Sequence, residues 1–304
     1  MNNYGFITQF DVIDCDAKTT IRYLHEEFGI EHFQFYDCME RYEQPLPNKF
    51  KWKDPIGRTI RRRIIESYLD EINRLGLSSW FYTGIYTVSP NYEIPGLNNA
   101  LFTKKEDKFI QDWTCIVKDN PTYTIINPAC KEWKEFYPNE LKKALDIGFT
   151  GIHFDQYGGL NDKYDYIYTP KEWTFDNNEE MFKKIDKRLL FKDFFQHLKQ
   201  NHPEIKFTFN AVDGYGYEET KDFVEFPYIE CWSDFYIKEY CNKLQGEYFI
   251  LPTYPKEKNV FKFDEFNNNR NLINKHGGAL LYAGDEGKIL INCYFPSAVD
   301  IIDL

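Results

Sequence analysis

The chain has 304 residues, with 37 Lys and Arg against 48 Asp and Glu, a formal net charge of −11. That acidic balance argues against phosphate-backbone binding, so no nucleic-acid partner is expected; 42% hydrophobic and 28% charged residues is globular composition, not disorder. Aromatic residues reach 18% (27 Phe, 23 Tyr, 6 Trp), enough to fill a core and also line a cleft that stacks on flat apolar faces such as sugar rings.

Met1-Asn2-Asn3-Tyr4 lacks the basic start and apolar run of a secretory leader, and strand-like pattern begins at once. No stretch approaches the ~18 consecutive apolar residues of a membrane span, so no membrane partner is expected. Seven cysteines (Cys15, Cys38, Cys115, Cys130, Cys231, Cys241, Cys293) form no C-x-x-C pair, the pattern of reduced thiols. The expected compartment is therefore cytoplasmic, or extracellular if a leader has been removed.

Short β-branched and aromatic runs alternate with amphipathic segments along the chain. Strands are expected at Gly5–Phe10, Phe33–Asp37, Ser79–Tyr86, Gly151–Asp155, Lys206–Asn210, Pro227–Trp232, Tyr248–Pro252 and Ala279–Ala283. Helices are expected at Ala17–Phe28, Ile56–Leu75, Lys131–Ile147, Leu189–Asn201, Tyr217–Phe223, Asp234–Leu244 and Asp264–Lys275. Asp54-Pro55 reads as a helix start, and Gly76 and Gly148 read as helix stops. Asn91–Asn99 and Tyr164–Asn178 read as long insertions. Eight βα repeats in one chain point to a (β/α)8 TIM barrel, a single catalytic domain over 1–304 whose eighth helix is incomplete. An open doubly wound sheet would want a glycine-rich loop after its first strand, and Asp11-Val12-Ile13-Asp14-Cys15-Asp16 has no glycine.

In a barrel the chemistry gathers at the carboxyl ends of the strands. Those ends carry Tyr36-Asp37, Asp155, Asn210 and Glu230, and Asp285 and Glu286 follow the last strand. Period-two alternation sets His153 and Asp155 on one face and Ile152 and Phe154 on the other. It likewise groups Tyr228, Glu230 and Trp232. Two converging carboxyl groups suit glycosidic bond cleavage, where one must be ionised at the anomeric carbon and the other protonated at the leaving oxygen. Glu230, between Tyr228 and Trp232, is the better general acid, because apolar neighbours penalise its charged form. Asp155, in a more polar stretch, is the better nucleophile. The bland reading of either is a strand-end carboxylate that caps a helix or pairs with a cation.

The run Phe33-Gln34-Phe35-Tyr36-Asp37-Cys38-Met39, with Arg41 and Gln44-Pro45-Leu46, resembles the second-strand segment of family 66 glycoside hydrolases, the dextranases and cycloisomaltooligosaccharide glucanotransferases. Trp52, Asp54 and Gly57-Arg58 fit the same family, as do Gly148-Phe149-Thr150-Gly151 leading to Asp155 and Glu230-Cys231-Trp232, where the family has Glu-x-Trp. Tyr294-Phe295-Pro296 resembles a segment that follows its eighth strand. The resemblance implies a retaining glycosidase or transglycosylase on α-1,6-linked glucan, with Asp155 as nucleophile and Glu230 as acid/base. Family members usually carry β domains on both sides of the barrel, whereas here barrel pattern starts with the first residues. That shifts the expected substrate from dextran itself toward an oligosaccharide.

The expected substrate-binding residues are Tyr36, Asp37, Tyr82, His153, Tyr157, Asn210 and Trp232. Asp37 is placed to hold two sugar hydroxyls, or to pair with Arg41 or Arg58. Trp232 and Tyr157 flank the two carboxylates as aromatic platforms, and Tyr82, Tyr86 and Trp52 are further cleft candidates. Asn210 lies between the two catalytic strands, where it would bond substrate or Glu230, or cap the next segment. Two other readings stand beside the enzyme: a carbohydrate-binding barrel without turnover, and a metal-assisted barrel hydrolase built on His153-x-Asp155. The latter needs three or four convergent ligands, and the other histidines fall elsewhere, so no metal and no cofactor is expected.

Overall fold

The computed structural model describes residues 3–7, 10–11, 16–55, 57–94, 97, 101–105, 108–111, 116–117, 120–121, 123–155, 166–170, 182–253, 268, 271–273, 275–276 and 278–282. Its centre is a parallel sheet of five strands in chain order: Asn3–Ile7, Ile30–Phe35, Ser78–Gly84, Gly151–Asp155 and Phe207–Phe209. Pairing then passes through single parallel bridges, Asn210 to Tyr228 and Tyr228 to Ile250, to the parallel pair Phe249–Thr253 and Gly278–Tyr282. The last of these lies alongside the first strand, which closes the round of a TIM barrel. The expected sixth strand is thus a stretch of extended chain held from both sides: Ile229 and Cys231 donate to Ile250 and Pro252, and Ala211 and Asp213 donate to Tyr228 and Glu230.

Helix α1 (Ala17–Phe28) starts under an Asp16 cap whose carboxylate accepts the Thr19 amide. Helices α2 (Arg62–Arg74), α3 (Lys131–Asp146), α4 (Lys187–Asn201), α5 (Tyr217–Thr220) and α6 (Asp234–Lys243) follow the order expected from periodicity. Helix α2 begins six residues later than the sequence suggests. Asp54 instead turns a small hairpin, Lys51–Lys53 against Thr59–Arg61, by accepting both the backbone N–H and the guanidinium of Arg58. Of the expected helix 264–275, residues 271–273 are helical and most others lie outside the described residues, as does everything after Tyr282.

Alternation sorts the strand side chains. Outward, Phe154, Phe207 and Phe209 pack on Phe191, Phe194 and Phe195 of α4, and Phe35 packs on Tyr68 of α2. Each such ring, removed from water, contributes roughly 2–3 kcal/mol. Inward, Tyr4, His32, Phe226 and Tyr248 fill the amino end of the barrel, and Trp80 stands edge-on to Phe226. Gly151 makes room there, because a Cβ would lie 2.5 Å from the Trp80 ring and 2.8 Å from the Lys206 carbonyl. Trp52 and Tyr86, expected as cleft candidates, belong to the core: the Trp52 indole donates to the Cys38 carbonyl and Tyr86 packs on Phe191.

The excursions after the third and fourth strands meet in a four-stranded antiparallel sheet of Phe102–Lys105, Lys108–Gln111, Tyr166–Pro170 and Phe182–Asp186. Strand-to-helix connections emerge at the carboxyl face, so this sheet belongs to the mouth side. Among the described residues no helix is long and apolar enough to cross a membrane.

Candidate active site

Asp155 ends the fourth strand and Glu230 lies in the clasped sixth stretch, both half-buried. Between them stands Asn210, buried at the end of the fifth strand. Its Nδ2 donates to Asp155 Oδ1 at 2.9 Å and to Glu230 Oε2 at 2.6 Å. One amide nitrogen has two hydrogens, and here each serves a different carboxyl group. The opposite orientation would turn the amide oxygen toward two acceptors, so the arrangement is self-selecting. Both carboxyl oxygens lie within hydrogen-bond reach of one atom and are therefore at most about 5.5 Å apart.

The second oxygen of Asp155 accepts the Tyr82 hydroxyl. Tyr82 comes from the third strand, which pairs in register with the fourth so that Tyr82 faces His153. Tyr36, just after the second strand, packs on Tyr82 with ring centroids 4.5 Å apart. The negative charge of Asp37, then burial, then Asp155 push the Tyr36 hydroxyl well above its ordinary pKa, and Glu230 adds to the effect. That hydroxyl thus stays protonated, a neutral donor among three carboxyl groups.

Asp37 follows in the left-handed region, φ 50°. Arg58 donates to its carbonyl at 3.0 Å, and the guanidinium stands 3.8 Å from its carboxylate. The tighter partner of Arg58 is Asp54, with its carboxylate buried. Burial pulls the Arg58 pKa down, but Asp37 and Asp54 more than offset it. Of the two readings of Asp37, the geometry gives the ion pair, with Arg58 as the cation.

His153 does not reach the mouth. It shares the face of Asp155, but two residues down a barrel strand means deeper in the interior. The ring is 1% exposed, stacked on Tyr82 at 5.5 Å and edge-on to Tyr228 at 4.4 Å. Among the described residues neither ring nitrogen has a hydrogen-bond partner, and burial lowers its pKa to about 3, so it is neutral. The substrate-contact role expected for His153 is replaced by support of the Tyr82 ring. Among the described residues no group of three or more His, Cys, Asp or Glu is arranged to hold a metal.

Trp232 is 56% exposed, so it stands at the rim and Glu230 is not enclosed between two aromatic rings as the sequence suggests. Phe235, at 68%, is a second exposed ring on the first turn of α6. Tyr157 lies outside the described residues, as do Asp285, Glu286 and Tyr294-Phe295-Pro296. Sequence reasoning missed Asp213, whose backbone and side chain both hold the Glu230–Trp232 segment. Its signal is the Asp213-Gly214 dipeptide, a turn marker at a strand end.

A strand-end Asp and Glu bridged by one amide, on a barrel, is the setting in which relatives become informative. The model of glycosyl hydrolase family 66 matches residues 2–303. The chain belongs to glycosyl hydrolase family 66. Two curated cycloisomaltooligosaccharide glucanotransferases of Niallia circulans are 24% and 26% identical to it over 268 and 267 residues, 80% of this chain. The family 66 chain spans about a quarter of their length, 26% of each. A Paenibacillus cycloisomaltooligosaccharide glucanotransferase, solved in complex with cycloisomaltoheptaose, superposes with a TM-score of 0.70 at 21% identity, covering 86% of this chain and 39% of that one. An α-galactosidase of Thermus thermophilus shares the fold at a TM-score of 0.54 and 10% identity, covering 99% of this chain and 60% of its own.

Proposed function

We propose that this chain is a retaining glycosidase or transglycosylase acting on α-1,6-linked gluco-oligosaccharides. Asp155 attacks the anomeric carbon and Glu230 protonates the glycosidic oxygen, so the glycosidic bond breaks as a glycosyl ester forms. Glu230, now ionised, then takes a proton from water or a sugar hydroxyl, which displaces Asp155 and restores both groups. Water gives hydrolysis and a sugar acceptor gives transfer.

The observation that carries this reading is the shared amide. Carboxyl groups about 5–5.5 Å apart fit the double displacement, whereas inversion needs about 6.5–9.5 Å to admit a water between them. A spacing of at most about 5.5 Å between the bridged oxygens supports the double displacement. Because Oε2 of Glu230 receives the Asn210 amide, its acid proton is carried on Oε1. The names of the relatives, and the cyclic isomalto-oligosaccharide bound to one of them, support an α-1,6-linked oligosaccharide as substrate.

The test is a panel of α- and β-linked oligosaccharides offered to the wild type, D155N and E230Q. Turnover of isomalto-oligosaccharides that each substitution abolishes, with folding intact, is the expected result. Full activity in either variant overturns the assignment, and sugar binding without any turnover would favour a non-catalytic barrel.

A further inference from the structure

Asp213 is one of two described non-glycine residues with positive φ, at φ 47° and ψ 25°. That conformation costs an L-residue on the order of 1–2 kcal/mol even where Asp tolerates it best, and it belongs to an Asp213-Gly214 turn closed by the Tyr215 N–H donating to the Val212 carbonyl at 2.9 Å. Its contacts put the turn to use. The Asp213 backbone N–H donates to the Glu230 carbonyl at 2.8 Å, and its Oδ1 accepts the Trp232 backbone N–H at 3.1 Å. One residue therefore grips the chain on both sides of Cys231. Three positions earlier, Asn210 holds the Glu230 side chain. The loop itself is anchored at Gly214, φ 84°, where a Cβ would coincide with the hydroxyl of Tyr240 on α6. That contact ties it to the helix that follows Glu230.

We infer that Asp213 is the positioning residue of the acid/base: its left-handed turn and carboxylate fix the Glu230–Trp232 backbone so that Glu230 delivers its proton in line with the leaving oxygen and Trp232 stands on the leaving-group side. This rests on Glu230 being the general acid. Protonation matters only when the leaving group is a poor one, so a displaced acid slows cleavage of an alkyl glycoside and spares a substrate whose leaving group departs unprotonated. A residue with only a structural role has no such selectivity.

The experiment compares D213G and D213N. Glycine keeps the backbone donor and accepts positive φ, so D213G removes only the carboxylate; asparagine also tolerates the conformation and restores an acceptor. On isomaltotriose D213G should lose roughly tenfold in kcat, the scale of one lost hydrogen bond. It should stay within about twofold of wild type on α-isomaltosyl fluoride, and D213N should recover most of the loss. Equal losses on both substrates, or no loss on either, overturn the inference. A second readout is independent of turnover: the quenching of Trp232 by acrylamide, taken as the difference between each protein and its W232F partner. It should change in D213G and return toward wild type in D213N, and no change in D213G removes the clasp. If the wild type turns over neither sugar, the proposed function fails, and the fluorescence comparison still decides whether Asp213 holds Trp232.

Discussion

Replacing Asn210 with alanine removes the amide that bonds both carboxyls at once. Hydrogen bonds to charged groups contribute about 1.5–3 kcal/mol each, so losing one costs about 10- to 150-fold in rate and losing both about 10² to 10⁴-fold. The two bridged oxygens, at most about 5.5 Å apart, are also left facing each other. Two unit charges at that distance repel by about 3 kcal/mol at an effective dielectric near 20. Without the Asn210 donor Asp155 ionises less readily, so the acidic limb of the pH–rate profile should move to higher pH; the repulsion acts only once Glu230 also ionises and lifts the basic limb. N210D adds a third charge and should be slower than N210A. The assay is kcat/KM on isomaltotriose from pH 4 to 8, beside a thermal melt that reports folding. N210A within threefold of wild type, with an unmoved acidic limb, would refute the claim that the bridge organises the pair.

Y82F removes the hydroxyl that donates to Asp155 while the ring keeps its stack on His153, so kcat should fall about tenfold with little change in melting temperature. Gly214→Ala forces a Cβ into the Tyr240 hydroxyl at positive φ and should destabilise the fold by about 2 kcal/mol or more, read by urea unfolding. Glu71, bonded by Arg74 and Arg22, is held at a pKa of about 2 against an ordinary 4.5. A carboxylate whose folded pKa is depressed stabilises above its unfolded pKa, and that contribution fades as pH falls from about 4.5 toward 2. The melting-temperature gap between wild type and E71Q should therefore be widest near pH 7 and close on acidification.

Much of the barrel is legible in the sequence because two periods write it. Helix α1 and the fourth strand run where the pattern places them, and Ile152 and Phe154 face the helices while Asp155 faces the axis. Failures occur where a local rule has two outcomes. Asp54-Pro55 reads as a helix start, yet Asp54 spends its carboxylate on Arg58 and closes a hairpin. Alternation gives the face of His153 but not its depth, so a residue buried under Tyr82 looks like one at the mouth. Aromatic residues at strand ends carry the same ambiguity: Tyr86 is core and Trp232 is exposed, although both end a run of alternating residues. The Asn210 bridge joins residues 55 and 20 positions away along the chain, a contact only the closed sheet creates. Asp213 was marked by its following glycine, but its grip on Glu230 depends on a neighbouring strand that sequence pattern cannot register.

The most direct measurement is the anomeric configuration of the first product, followed by ¹H NMR as wild-type protein cleaves an isomalto-oligosaccharide before mutarotation sets in. The double displacement by Asp155 and Glu230 predicts the α anomer first. A β anomer released first would mean that water attacks directly, and the paired-carboxylate account would be wrong.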